Sequence, residues 1–590
     1  MTLARPQKWH RAGGKLLPYQ LALLLLALVG PAAGPVSVPP ARGAALQVAP
    51  EAEASHPAKT TYRVVMRDGT RLATDVYLPS EGKGPWPVIF VRTPYNKNAG
   101  GESMAAAVGK KGYALVCQDI RGRFESEGTG TLLFVSDGWG RNQDGHDSLA
   151  WIARQPWCDG KIGTWGGSAL GITQNLMAPG APDSLKAQYV QVACSDFYRQ
   201  TVFQGGAFRK ELAEDWLSAI KADPVNLKAF IAHYKYDELW EQLRPEGQAS
   251  RVNAPAIFSG GWYDIFGQGT INSFVGIQNH GRPGARGKCR LIMGPWAHGP
   301  LAELKYPANS ADPGEAADGL RFFDHWLKGS DNGVVRDKPV RYYVMGDPTD
   351  PAAPGNFWRA ADDWPPPAQP TRFYFHPDGR LAAGARPVGT GERSYRYDPR
   401  NPVPTIGGQN LTQAKGPMDQ RKVEGRDDVL LFTGDVLTAP VEVTGRISAR
   451  LFVSSDCPDT DFTVKLTDVY PDGRSMLVTD GILRARFRKS FRREDFLKPG
   501  EVYALAVDLW STSLIFAKGH RIRVAVSSSN SPRFEPNPNT GKPLRADNET
   551  RIATNTLYLS ERYPSHIVLP IYAGPDRLAG AYSPGSGALF

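Results

Sequence analysis

Three residues of this chain have the types and the order that acyl transfer through a serine requires: Ser168, Asp264 and His298. A serine hydroxyl is a weak nucleophile until an imidazole takes its proton. The imidazole in turn needs a carboxylate to fix its tautomer and stabilise its charged form. Ser168 lies in KIGTWGGSALGITQN, where an apolar strand runs into Gly166, Gly167, the lone serine and Ala169, followed by a helix-compatible stretch from Ile172 to Met177. A strand, a sharp turn with almost side-chain-free neighbours and a helix are what a strained nucleophile elbow needs. The usual G-x-S-x-G spacing is broken by one position, because Leu170 stands where the second glycine belongs and Gly171 follows it.

Two downstream segments supply the partners. Strand-like AIFSG runs into GWYD, placing Asp264 on a strand-end loop, and RLIMG runs into PWAH, placing His298 on the next such loop. Serine, acid and histidine in that chain order, on loops after successive strands, suit a doubly wound sheet. Asp119, at the end of YALVCQD, is a competing acid but precedes the serine. The backbone N–H of Ala169 is a candidate oxyanion donor. The chemistry needs no cofactor and no metal.

The elements that must position these residues follow an α/β pattern. YRVVMRDGTRLATDVYLP reads as an opening hairpin, WPVIF and YALVCQD as buried strands, and DGHDSLAWIARQPW as a helix with Asp144 at its start. LKAQYVQVACSD is another strand, after which strand patterning stops from Phe197 to about Leu243. That stretch reads as a helical cap over the carboxyl ends of the strands. Past the Pro- and Asp-rich GDPTDPAAPGNFWRAADDWPPPAQP, short alternating runs with P-D-G turns indicate an antiparallel sandwich, read as a jelly roll. The expected organisation is a signal peptide at 1–34, a linker at 35–57, an α/β domain at 58–346 with its cap at about 197–250, a linker at 347–370 and a β-sandwich at 371–590.

Length and charge narrow the functional classes. A chain of 590 residues accommodates two or three full cores. The balance of 69 basic against 59 acidic residues gives a net charge of +10, yet no compact Lys/Arg block lies outside the leader, which argues against a nucleic-acid partner. The densest basic run, RARFRKSFRR, reads as a strand edge followed by a solvated turn. Basic residues before an apolar run from Leu21 to Val29, then Pro31, Ala32, Ala33 and Gly34, form a secretory signal, implying a secreted or periplasmic protein. The run is short of the roughly 20 residues that span a bilayer, so no stable membrane span is expected after cleavage. Five widely spaced cysteines without a C-x-x-C pair exclude a thiolate metal site and specify no bridge. Nothing in the sequence specifies an oligomer.

The elbow Gly166 to Gly171, G-W-Y-D at Gly261 to Asp264 and G-P-W-A-H at Gly294 to His298 together resemble the cocaine esterase and X-prolyl dipeptidyl aminopeptidase family of α/β-hydrolases. MRDGTRLATDVY, DIRGR, FFDHWLKG and SSSNSPRF extend the likeness along most of the chain. The family's elbow tyrosine is Ala169 here. The resemblance implies that R-T-P-Y carries a second oxyanion donor, the hydroxyl of Tyr95, and that the architecture is a hydrolase core, a helical cap and a carboxyl-terminal jelly roll. It implies hydrolysis of an ester or amide on a small-molecule or short-peptide acyl substrate. The family's alternatives are X-prolyl dipeptidyl-peptidase, α-amino acid ester hydrolase and β-lactam acylase activity. Phe203, Phe208, Trp262, Phe266 and Trp296 are candidates for the acyl-pocket wall. The acids Glu211, Glu214, Asp215, Asp237 and Glu238 would serve a substrate ammonium group if they faced Ser168, but their spacing suits solvated helix faces. A catalytically dead binding scaffold is the non-enzyme reading, and the complete triad speaks against it.

Overall fold

The computed structural model describes residues 58–311 and 315–576; the expected signal peptide and tether lie outside the described residues. The chain opens with the antiparallel hairpin β1 (Lys59–Val65) and β2 (Arg71–Tyr77), followed by β3 (Trp86–Thr93), β4 (Ala114–Asp119), β5 (Cys158–Gly167) and β6 (Leu185–Gln191). After the cap, which contains the two-residue strands β7 (Phe203–Gln204) and β8 (Ala207–Phe208), come β9 (Ala256–Tyr263), β10 (Arg290–Ala297), β11 (Val340–Val344) and β12 (Phe357–Ala361). Ten of these form one sheet in the order β1-β2-β4-β3-β5-β6-β9-β10-β11-β12. Its central strands are parallel and buried on both faces, which is why they read as nearly continuous apolar runs.

The helices Gly101–Gly109, Asp144–Ala153, Ala169–Met177, Gly267–His280 and Glu315–Lys328 connect these strands. Asp144 does not cap its helix as expected; it is buried in an ion pair with Arg121, at 2.7 Å, and Arg121 also reaches Asp68. The cap is largely helical, as in Trp216–Ala219, Val225–Ala232 and Glu238–Glu241, and departs from that expectation in two ways. Its Tyr198–Val202 and Glu211–Asp215 turns are wide five-residue coils, and β7 and β8 form a tight hairpin around Gly205 and Gly206. Those two glycines, at φ +55° and +78°, make the reversal possible where the sequence shows no alternation.

Beyond β12 the chain is almost entirely antiparallel strand, in one seven-stranded and one four-stranded sheet. The long strands Val441–Ser455 and Tyr503–Phe516 pair along most of their length with one bulge between Ile447 and Ser448. The basic run starts at a strand end and leaves Lys489, Arg492 and Arg493 exposed on a turn as expected, but its first arginines are not solvated. Arg484, Arg486 and Arg488 are buried and paired with Asp461, Asp459 and Asp495, at 2.9, 2.7 and 2.9 Å. Asp461 on the paired strand and Asp459 just before it satisfy the first two and Asp495, further along the turn, the third, which spacing along the run does not reveal. All five cysteines are buried and unbridged.

Candidate active site

The elbow forms where β5 hands over to the helix Ala169–Met177. Ser168 sits between them at φ +56° and ψ −124°, a conformation that only a surrounding structure can hold for a residue with a Cβ. Its N–H donates to the Gln191 carbonyl at 3.0 Å, and its own carbonyl accepts from Gly171 and Ile172, both at 2.9 Å. The displaced glycine has a packing cause. A Cβ on Gly171 would lie 2.8 Å from the Ala193 Cβ and 2.9 Å from the Gln191 carbonyl, so the helix can approach the chain after β6 only with glycine there. At Gly166, φ +154°, a Cβ would sit 2.5 Å from the Leu170 Cβ, so Leu170 occupies the space that the first glycine leaves.

Sheet register brings acid and base together. β9 and β10 are parallel neighbours, and a bulge between Gly294 and Ala297 sets Ala297 opposite Tyr263, so the next residues are His298 and Asp264. Asp264 is fully buried; one oxygen accepts the Phe266 N–H and the other accepts from His298 Nδ1, both at 2.7 Å. A carboxylate can only accept, so Nδ1 carries the proton and Nε2 is left as an acceptor. That nitrogen stands 3.0 Å from Ser168 Oγ. The serine proton therefore has a base in place, and the base has its orienting group.

Tyr95 follows β3 on a loop held by its own side chains and by Asp119. Thr93 Oγ1 accepts the Tyr95 N–H, and Asp119 accepts the N–H of Lys97 at 2.7 Å and of Glu125 at 3.5 Å. Burial pushes the Asp119 carboxyl up to about 6, the Lys97 and Glu125 amides opposing. Asp119 is thus a support of the Tyr95 loop and stands apart from the triad. The Tyr95 hydroxyl accepts from Trp216 Nε1 at 3.1 Å and lies within hydrogen-bond reach of Ser168. Burial raises its pKa, against the pull of Trp216, Ser168 and Arg123, so it stays protonated and able to donate. Ala169, first residue of its helix, has an N–H with no intrahelical acceptor. The two expected oxyanion donors flank the serine.

Trp216 escaped the sequence reading because it looks like any other aromatic in the cap; its ring stacks on Phe134 with centroids 6.0 Å apart. Of the five proposed pocket aromatics, Phe266 meets the triad, edge-on to the His298 ring at 5.8 Å. The other four are corrected to core packing. Trp262 donates to the Tyr343 carbonyl and packs on Trp364, while Trp296 donates to the Ser310 carbonyl and packs on Trp358. Phe203 and Phe208 pack on each other, and Phe203 also on Tyr198 and Trp240, inside the cap. Large rings after strand ends serve the core as readily as a site.

The cap acids are mostly committed. Glu211 is buried, with one oxygen accepting the N–H groups of Leu411, Thr412 and Gln413; Asp215 accepts from the Thr412 hydroxyl at 2.6 Å. Glu214 pairs with Arg545, and Asp237 caps Leu239 and meets His233 at 2.6 Å. Among the described residues no cluster of His, Cys, Asp or Glu is arranged to hold a metal.

A buried Asp-His pair aimed at a serine on a strained strand-to-helix turn, at the carboxyl edge of a doubly wound sheet, defines a serine hydrolase of the α/β-hydrolase fold. Residues 68–225 and 210–300 match the model of the X-Pro dipeptidyl-peptidase (S15 family), and residues 332–568 match that of the X-Pro dipeptidyl-peptidase C-terminal non-catalytic domain. The cocaine esterase of Rhodococcus sp. is 36% identical over 579 residues, covering 86% of this chain and 97% of that protein. The chain belongs to this cocaine esterase and X-Pro dipeptidyl-peptidase family. Among solved structures, an α-amino acid ester hydrolase superposes with a TM-score of 0.74 at 25% identity, over 89% of this chain and 98% of that one. An aminopeptidase from a marine sediment Thaumarchaeota archaeon shares the fold, with a TM-score of 0.76 at 24% identity over 90% of this chain and 99% of that one.

Proposed function

We propose that this protein is an exported esterase that hydrolyses small carboxylic esters through an acyl-enzyme on Ser168. The observation that carries the reading is the continuous relay from Asp264 through His298 to Ser168, at 2.7 and 3.0 Å, with the Tyr95 hydroxyl beside the same serine. Ser168 Oγ attacks the acyl carbon while His298 Nε2 takes its proton. The oxyanion that forms receives the Tyr95 O–H and the Ala169 N–H, and His298 returns the proton to the departing alcohol. Water then repeats the sequence on the acyl-enzyme and releases the acid. Export is inferred from the leader alone.

Ester rather than peptide hydrolysis is favoured by the partners of the cap acids, since Glu214, Asp215 and Asp237 are each bonded to this chain's own groups. One observation keeps a second reading in view. The Oε2 atom of Glu211 is buried without a hydrogen-bond partner, and a substrate ammonium group would satisfy it, as an aminopeptidase or α-amino acid ester hydrolase needs. The deciding experiment compares kcat/KM for p-nitrophenyl acetate with that for glycyl-prolyl-p-nitroanilide, using Ser168→Ala as the blank. Preference for the acetate supports the esterase; preference for the dipeptide anilide, lost in Glu211→Gln, replaces it with the second reading.

A further inference from the structure

The carboxyl-terminal β-domain reaches both loops that carry the acid and the base. Gln409 donates to the Trp262 carbonyl at 3.3 Å, two residues before Asp264. Arg209, buried under the same segment, donates to the carbonyls of Ile265 and Gln409, at 3.2 and 3.3 Å. On the base side, the Ala302 N–H donates to the Lys415 carbonyl at 3.0 Å, and the Asp419 N–H donates to Glu303 at 2.9 Å. Between them sits Lys415 itself. Its Nζ donates to the Leu411 carbonyl at 2.6 Å and reaches the carbonyl of His298 at 3.5 Å.

Lys415 is 7% exposed, and among the described residues no carboxylate lies within ion-pair distance of its ammonium group. A buried cation without a paired anion is costly to keep, so its retention beside the catalytic histidine calls for a reason other than stability. The carbonyl of the catalytic histidine supplies one, because a charged donor holds it more firmly than a neutral one.

We propose that Lys415, contributed by the β-domain, is a positioning residue of the triad: its ammonium group ties the main chain at His298 to the Leu411 carbonyl and so holds the imidazole at Ser168. The inference rests on Ser168 being the nucleophile. Glu211 of the cap and Asp264 are the anions that act on Lys415, offsetting the downward pull of burial on its pKa. The domain that carries Lys415 thereby enters the chemistry without touching substrate.

The test is kcat and KM for p-nitrophenyl acetate in the full chain, with Lys415→Met, Lys415→Gln and Lys415→Arg beside the wild type. Lys415→Met is expected to lower kcat about tenfold with KM within twofold, the scale of a catalytic group held slightly out of place. Lys415→Arg, which keeps a charged donor, should restore kcat to within about threefold of the wild type. Lys415→Gln keeps the test alive if Lys415→Met does not fold. A kcat unchanged in the Met and Gln variants overturns the proposal, and so does equal loss of kcat in the Met and Arg variants. Fluorophosphonate labelling of wild-type Ser168 is the control: without it the serine hydrolase reading fails, and with it only the role of Lys415 is at stake.

Discussion

Replacing Tyr95 by Phe removes one oxygen and no ring, and the structure separates what that oxygen does for the fold from what it does for the reaction. For the fold, the hydroxyl accepts one hydrogen bond, from Trp216 Nε1 at 3.1 Å. Deleting the acceptor leaves a partly buried indole N–H without its partner, a loss of about 1 kcal/mol, small against the stability of a domain of this size. For the reaction, the hydroxyl has the proposed role of one of two donors to the oxyanion, and the Trp216 N–H occupies only one of its lone pairs, which leaves its proton free to donate. Removing one such donor costs about 3 to 4 kcal/mol of transition-state stabilisation, or roughly 10²- to 10³-fold in kcat. Stopped-flow or steady-state kinetics on p-nitrophenyl acetate, beside the thermal midpoint, measure both. A kcat within threefold of wild type in Tyr95→Phe, or a raised KM with kcat intact, would refute the assignment, since either means that the hydroxyl binds ground state rather than transition state.

Gly171→Ala forces a methyl into the 2.8 Å gap to the Ala193 Cβ, and overpacking of this kind costs about 1 to 3 kcal/mol, so a lower melting temperature with loss of serine reactivity is expected. Asp459→Ala leaves the buried Arg486 with Glu494 as its one carboxylate, beside the Gly541 and Lys542 carbonyls, and should destabilise the β-domain by about 3 kcal/mol, read as a lower denaturation midpoint. For Asp119, the carboxyl is pushed up to about 6 in the fold, above the ordinary carboxylate range, so its stabilising effect is full at low pH and is lost as pH rises through 6. The melting temperature of the wild type relative to Asp119→Asn should therefore rise between pH 7 and pH 4.5; a difference that stays constant with pH would contradict this.

How much the sequence disclosed depends on whether a residue's partner is local. The elbow was legible because its requirements, small residues around one serine between a strand and a helix, fall within six positions, and even the displaced Gly171 was visible before its contact with Ala193 explained it. Asp264 and His298 were legible because parallel strands deliver their following loops to one edge of the sheet. Trp216 and Lys415 were not, because each acts on a residue far along the chain, and their types are ordinary for a helix or a surface loop; Glu211 was named but read as solvated, whereas it is buried. The solvated reading of the basic run failed at Arg484 and Arg486 for the same reason: their countercharges Asp461 and Asp459 come from the start of a paired strand and the residues just before it. The aromatics Trp262 and Trp296 show the opposite error, in which nearness in sequence to the triad was mistaken for facing it.

Mass spectrometry of the protein after exposure to a fluorophosphonate tests the central claim most directly, because the reagent bonds only to a serine whose proton is being taken and whose oxyanion is being held. The account predicts a single adduct on the peptide carrying Ser168 in the wild type, sharply reduced in His298→Ala and absent in Ser168→Ala. An unmodified Ser168 in folded wild-type protein, or an adduct on another serine that accounts for the esterase activity, would contradict it.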